Sequence, residues 1–150
     1  MALYRIISLN FWTDTKIIDE FSPEDKYFYL YLLTNPHTNL CGCYEISKKQ
    51  MALELGYSLD AVLVLLERFE NKYNLIKVSN ETNELFILNW YKYNWTTSPK
   101  FRKPLKEEIE KIKDKEFKEI LTKIEVGDTV SIRYRYKLYR YICYCYYYCY

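Results

Sequence analysis

The chain holds few of the residues on which most catalytic and cofactor-binding motifs depend. Glycine occurs only 3 times among 150 residues, which excludes a glycine-rich loop that could cradle a phosphate. The single histidine, His37, lies in the turn-like stretch NPHTN, where a surface role is far more common than a catalytic one. No Ser–His–Asp arrangement, HExxH motif or P-loop is present. We therefore expect a protein that is not an enzyme and holds no cofactor.

Long apolar runs and paired cysteines are also missing. Before residue 131 the longest apolar run, residues 27–33, covers 7 residues, and the run 141–150 covers 10, against about 20 for a helix that spans a bilayer. The 5 cysteines form no CxxC pair, which argues against zinc and favours free thiols. The start of the chain has no charged region followed by an apolar run, so we expect no signal peptide. These features predict a cytoplasmic protein with no metal and no membrane partner.

Basic residues and tyrosines are concentrated at the C-terminal end. Residues 131–150 contain half of the 18 tyrosines, four basic residues and no acid, although the net charge of the chain is only +2. The alternation of arginine and tyrosine from Arg133 to Tyr136 could form a stacking platform for single-stranded nucleic acid. The composition is also typical of low-complexity sequence, including a frame-shifted end, and this second interpretation is the one that we favour.

Residues 4–12 could form a short strand or an extended arm, and residues 13–46 are predicted to form two helices and a short strand. Residues 13–21 suit a short helix. Ser22 is a good N-cap for a second helix, which is expected to end before Pro36. That helix contains the apolar run 27–33, so it lies either centrally in the core or against a second copy of the chain, and the core is the simpler interpretation. The stretch CGCYEI, residues 41–46, predicts a short strand.

The following stretch predicts two short helices that are joined by a tight turn. Ser47 can cap a helix that begins at Lys48, and Gly56 can end that helix in the left-handed conformation. Ser58 can cap a second helix with one apolar face. That face consists of Val62, Leu65, Leu66, Phe69 and Tyr73. Two β-rich runs within residues 75–90 predict a hairpin, and the resulting order of elements is that of a winged helix-turn-helix within the α+β class.

An amphipathic helical extension is predicted after the hairpin. Residues 91–104 are aromatic and basic and are expected to form a linker, with a new helix beginning at Pro104. Apolar residues within 105–124 predict one or two helices, with a break near 113–115 and an end at Gly127. We therefore divide the chain into a winged-helix domain over 1–95, a basic linker with amphipathic helices over 96–126, and a Tyr/Arg/Cys-rich tail over 127–150.

Three stretches of the chain carry a resemblance to a known family. They are YRIISLNFWTDTKIIDEFSPEDKYFYLYLLTNPHTNLCGCYEISKKQMALELGYSLDAV, LERFENKYNLI and NWYKYN. Through them, residues 1–125 resemble the N-terminal winged-helix domain of DnaD-like phage replisome organisers, which initiate replication in phages and prophages of low-GC Gram-positive bacteria. The resemblance implies binding to origin DNA, self-assembly through the winged helix, and help in loading the helicase.

Candidate DNA contacts are basic and polar residues near the helix pair, the hairpin and the linker. The exposed face of the second helix holds Asp60, Glu67 and Glu70, which are poor groups for reading base edges. We therefore expect modest, salt-dependent binding to duplex or single-stranded DNA through phosphates. The candidate contacts are Lys48, Lys49, Ser58, Arg68, Lys72, Lys77, Lys92, Lys100, Arg102 and Lys103.

The sequence leaves two principal functions open. The first is a phage-type replication initiation protein that binds DNA and forms a homodimer or a larger oligomer. The second is a phage-encoded protein-interaction module that binds and inhibits or regulates a host replication or defence protein, such as a nuclease, and the acidic second helix favours it. A transcriptional repressor is a third possibility, against which the poor base-reading helix argues.

Overall fold

The computed structural model describes residues 4–96 and 98–127, which adopt an α+β fold. Within them lie seven α-helices and one antiparallel sheet of three strands. The helices are α1 (Thr15–Glu20), α2 (Pro23–Thr34), α3 (Lys48–Leu55), α4 (Leu59–Glu67), α5 (Trp90–Asn94), α6 (Pro99–Glu110) and α7 (Lys115–Val126), and the strands are β1 (Cys43–Glu45), β2 (Ile76–Ser79) and β3 (Glu84–Ile87). Both interpretations of the tail concern residues that lie outside the described part of the chain.

Capping side chains set the start of the two helices that sequence predicted most firmly. Ser22 accepts the backbone N–H of Asp25 at 3.1 Å, and the Asp25 carboxylate accepts the backbone N–H of Ser22 at 3.0 Å, which completes a capping box. Ser47 likewise accepts the N–H of Gln50 at 3.1 Å. The Gln50 side chain, however, donates to Glu54 instead of turning back to Ser47. The predicted starts of α2 and α3 are confirmed.

A tight turn separates α3 from α4, as predicted. Gly56 has a φ of +73°, in the left-handed region, and its N–H donates to the carbonyl of Ala52. Ser58 then accepts the N–H of Ala61 at 3.2 Å and caps α4. After α4 the chain continues as one π-helical turn, Arg68–Lys72. The apolar face predicted for this stretch is buried at Val62, Leu65, Leu66, Phe69 and Tyr73.

The predicted hairpin and the strand before it form a sheet with the order β1–β3–β2. Leu85 in the central strand is paired with Tyr44 on one side and Val78 on the other. The hairpin turn includes Asn83, whose φ of +56° is one that asparagine tolerates. Every residue of β3 is buried, which shows that both faces of the sheet are covered.

Helices cover the two faces of the sheet with two separate apolar clusters. Because successive side chains of a strand point to opposite faces, Leu85 packs with the cluster around α1–α4, whereas Phe86 packs with α6 and α7. The ring of Phe86 lies 5.6 Å from that of Phe117 in α7. The apolar helix α2 belongs to the first cluster, with Phe28 and Leu32 fully buried, so the interpretation that places it in the core is confirmed.

The segment predicted as a linker is largely helical, so that prediction was wrong. Residues 91–104 contain most of α5 and the first half of α6, and α6 begins at Pro99 instead of Pro104. Pro99 suits a first helical turn, where the missing N–H needs no partner, and Pro104 lies inside the helix, which costs one hydrogen bond to the carbonyl of Lys100. Packing of the apolar face of α6 on the sheet outweighs that loss.

The second half of the extension follows the prediction. Asp114 caps α7 by accepting the N–H of Glu116 at 3.0 Å and of Phe117 at 3.1 Å, and Gly127 ends the helix with a φ of +89°. The break between α6 and α7 is thus confirmed. The division of the chain into domains at residue 95 stays a prediction. Among the described residues, no helix has the length and apolar character needed to cross a bilayer.

Candidate nucleic-acid interface

The predicted DNA contacts fall on three groups of elements, and the first is at the starts of α3 and α4. The ammonium of Lys48 donates to the side chain of Asn80 in the hairpin turn at 2.5 Å. Lys49 is exposed beside it. Ser58 is exposed as well, but its hydroxyl already accepts the N–H of Ala61 as the cap of α4. This group therefore offers two cations, whereas its hydroxyl is already used as the cap of α4.

The second group lies after α4 and on β2, where intramolecular contacts engage the cations. The guanidinium of Arg68 is 2.6 Å from Asp25 of α2. The ammonium of Lys77 is 2.6 Å from Glu116 of α7. Lys72 is exposed and lies over the ring of the residue that follows it, at 5.1 Å. Arg68 and Lys77 thus use their charges to connect secondary-structure elements.

Asp25, the partner of Arg68, is a buried carboxylate with several donors. It accepts the hydroxyl of Tyr73 at 2.9 Å in addition to Ser22 and Arg68. Burial by itself raises the pKa of Asp25, but the hydrogen bonds from Ser22, Arg68 and Tyr73 outweigh it and hold the pKa below the ordinary value. The same hydrogen bond to Asp25 raises the pKa of Arg68. This network fastens the end of α4 to the start of α2.

The outward side of α4 is apolar and acidic. We define the α4 face as Leu59, Asp60, Leu63, Val64 and Glu67, all of which are exposed. More than half of the surface of Val64, 54%, is exposed to solvent. A shallow groove beside this face is lined by Lys48, Leu63, Leu66, Glu67, Glu70, Val78 and Asn80. Carboxylates at this position repel phosphates, so α4 is poorly suited to lie in a DNA groove.

The third group of predicted contacts forms a continuous basic stretch of chain. Residues 85–106 contain five basic residues and no aspartate or glutamate. We define the α5–α6 surface as Lys92, Lys100, Arg102 and Lys103, which are all exposed. Lys100, Arg102 and Lys103 form no ion pair with any residue in the described ranges. Cations in the first turn of a helix are disfavoured by the helix dipole by about 0.3–1 kcal/mol each, so the stability of α6 does not explain them.

Two tryptophans clamp α5 onto the body of the protein. The indole N–H groups of Trp90 and Trp95 both donate to the carbonyl oxygen of Leu40, at 2.9 and 3.0 Å. Trp90 packs so closely on Gly42 that a Cβ at this glycine would lie 2.2 Å from the indole Cγ. Gly42 also has a φ of +77°. The two anchors lie at the two ends of α5 and hold its backbone against the body of the protein.

The remaining chemically reactive groups are occupied by the fold. Glu54 accepts hydrogen bonds from Tyr31 and Gln50 and lies 2.9 Å from the Nε2 atom of His37. Cys41 is a free, buried thiol, as expected, and burial raises its pKa to about 12, so it is a poor nucleophile. In the part of the chain that the structure describes, no cluster of potential metal ligands is present.

The comparisons with known proteins identify no relative. No protein-family model, no curated protein and no solved structure matches this chain. The resemblance to DnaD-like organisers therefore stays a prediction.

Sequence reasoning did not single out Tyr93, which the structure places beside Lys92 on the outward side of α5. Tyr93 leaves 70% of its surface in solvent. The sequence contains a signal that could have found it, because the stretch WYKYNW brackets Lys92 and Tyr93 between two tryptophans. Large rings at both ends of so short a segment indicate anchors, and the residues between them are left to face outward.

Proposed function

We propose that the chain is a cytoplasmic winged-helix protein that binds DNA during phage-type replication initiation and assembles with itself. The order of elements supports the winged-helix assignment, because α2, β1, α3 and α4 precede the β2–β3 hairpin. The pairing of β1 with β3 supports it too, since it attaches the hairpin to the helix pair as a wing. The replication role rests on the resemblance of residues 1–125 to DnaD-like organisers.

The α5–α6 surface is the observation that carries the DNA-binding part of the proposal. Its four cations are exposed, and no acid interrupts the chain between residues 85 and 106. Exposed lysine and arginine neutralise phosphates without reading sequence. The acidic α4 face argues that base edges are not read by α4. The chain therefore binds DNA mainly through contacts between phosphates and the cations of α5 and α6, and Lys48 and Lys49 provide additional contacts.

The test is a titration of labelled duplex DNA with the full chain at several salt concentrations. Two to four phosphate contacts predict that log K falls with log salt with a slope of about −2 to −4. The double substitution Lys100→Gln and Arg102→Gln should weaken binding and make the slope shallower by about 2.

A matched double substitution serves as the control for this titration. Lys111→Gln and Lys115→Gln remove the same charge beyond the other end of α6. Lys111 follows α6, about 16 Å along the helix axis from Lys100, and Lys115 begins α7. Both lysines are exposed. We expect this control to bind nearly as well as the unmodified chain. Absence of binding at low salt, or equal losses in the two double variants, would refute a specific contact at the α5–α6 surface.

A protein-interaction module is the second candidate function, and the α4 face favours it. Leu63 and Val64 expose aliphatic surface between the carboxylates of Asp60 and Glu67. An apolar centre with an acidic rim suits a basic partner surface, such as one that a nucleic-acid-handling host protein presents. This candidate uses a different surface from the α5–α6 contact, so the two functions are separable by mutation.

Capture of host proteins on the immobilised chain, after nuclease treatment, distinguishes this candidate. We expect a nuclease-resistant partner to be lost with Leu63→Asp and Val64→Asp, because a buried carboxylate without a partner opposes docking. The same partner should be retained by the Lys100→Gln and Arg102→Gln variant. A partner that either nuclease or the second variant removes would instead be bound through nucleic acid.

A further inference from the structure

The α5–α6 surface combines its cations with an aromatic ring that faces solvent. Tyr93 follows Lys92 on α5 and leaves 70% of its surface in solvent. Exposed tyrosines are ordinary on mobile chain ends, but this one lies on a helix that Trp90 and Trp95 anchor to a single carbonyl. An exposed ring on an anchored stretch of backbone needs less ordering when a flat partner binds than the same ring on a free chain end.

We propose that the α5–α6 surface binds single-stranded DNA, with a base stacked on Tyr93 and the neighbouring phosphates contacted by Lys92, Lys100 and Arg102. The inference rests on the proposed DNA binding by the same surface and adds the form of DNA that it takes. A cationic track beside an aromatic platform is the combination by which proteins bind single strands without sequence preference.

The geometry discriminates between single strands and duplex. In a duplex the faces of the bases are covered by their stacked neighbours, so a ring on the convex surface of a helix meets only backbone and groove edges. An unpaired strand offers free base faces and flexible phosphates. The ring of Tyr93 can therefore stack on the bases of single strands only, whereas the cations contribute to both forms.

The N-terminal arm places a second exposed ring next to the same helix. The guanidinium of Arg5 donates to the carbonyl and the hydroxyl of Thr38, at 2.6 and 2.9 Å, and lies over the ring of Trp90 at 5.7 Å. Arg5 thereby holds the arm beside the start of α5. Tyr4, the residue before it, leaves 79% of its surface in solvent.

The experiment measures fluorescence anisotropy of a short labelled oligothymidine and of a hairpin duplex with the same number of phosphates, using the full chain at low salt. We expect Tyr93→Ala to weaken single-strand binding by about 5- to 150-fold, the range for one stacked base. Duplex affinity should stay within about twofold, because the cations are untouched. Tyr93→Phe should retain single-strand binding, since it keeps the stacking ring.

Tyr27→Ala is the matched control, because Tyr27 is a half-exposed tyrosine of α2 outside the basic stretch. It should leave both affinities unchanged. If Tyr93→Ala leaves single-strand affinity intact while Lys100→Gln with Arg102→Gln lowers it, DNA binding stands and the stacking inference is overturned. Equal losses on duplex and single strand overturn it as well. If the unmodified chain binds neither probe, the proposed function fails together with the inference.

Discussion

At the scale of single residues, the buried carboxylate of Asp25 links the start of α2 to the chain that follows α4. Its carboxylate accepts the Ser22 backbone, the Arg68 guanidinium and the Tyr73 hydroxyl, and only 2% of its surface reaches solvent. The Asp25 carboxylate therefore caps α2 and also connects that helix to the π-helical turn after α4. The acid is tolerated in the interior because Ser22 and Tyr73 donate to its Oδ2 and Arg68 donates to its Oδ1, which compensates for its desolvation.

Asp25→Asn should lower the free energy of unfolding by about 1–3 kcal/mol near neutral pH. The sign of the pH dependence follows from the lowered pKa. A carboxyl with a depressed folded-state pKa stabilises the protein above its unfolded pKa, ordinarily 3.8, and this contribution is lost as pH falls through the lower folded-state value. The stability difference between the two proteins should accordingly shrink in strongly acidic solution. Urea unfolding of both proteins, from neutral to acidic pH, measures it.

Asp60→Asn is the control for this measurement, since Asp60 is an exposed acid in the first turn of α4. It should change stability by no more than about 0.5 kcal/mol, and the change should show no comparable loss in acid. A constant difference between Asp25→Asn and the unmodified chain down to the lowest pH would mean that the carboxylate charge does not stabilise the fold.

At the scale of elements, local signals in the sequence predicted the helix pair, and long-range contacts decided the extension. Ser47, Gly56 and Ser58 act within one turn of chain, so their spacing was sufficient to place the ends of α3 and α4. The start of α6 could not be predicted in this way. Pro104 looked like a helix start, yet Leu105 and Ile109 pack on the sheet, and their burial carries the helix through the proline.

The contacts that attach α6 and α7 to the rest of the protein could not be predicted either, because they also join residues that are far apart in the sequence. Glu84 is almost fully buried and accepts the N–H groups of Lys113 and Asp114, at 2.9 and 2.8 Å. Glu108 of α6 accepts the N–H of Leu40 at 2.6 Å. Pairs of residues that are so far apart along the chain cannot be predicted from hydropathy or from the spacing of residues. The candidate site was predictable to the same extent. Its lysines could be identified from their charge in the sequence, whereas Trp90 and Trp95, which anchor α5, share the carbonyl of Leu40 only in the folded protein.

At the scale of the whole molecule, three chemically different surfaces surround one body. The α5–α6 surface is basic and aromatic, and the α4 face is acidic and apolar. The third surface is the N-terminal arm, residues 4–18, where large apolar side chains of the chain before α1 and of α1 itself face solvent. These are Tyr4, Ile6, Leu9, Trp12 and Ile18. Several large apolar groups exposed within one segment favour contact with another protein surface.

The arm is therefore the surface through which we expect the chain to assemble with itself. Light scattering over a wide concentration range should give a mass above the 18.4 kDa of one chain and rising with concentration. Leu9→Asp should weaken association at least tenfold, because Leu9 exposes 85% of its surface and a carboxylate there would be buried in the interface. Leu53→Asp, on α3, changes a comparably exposed leucine elsewhere and should leave association unchanged. A monomer mass at every concentration, or a larger effect from Leu53→Asp, would rule out assembly through the arm.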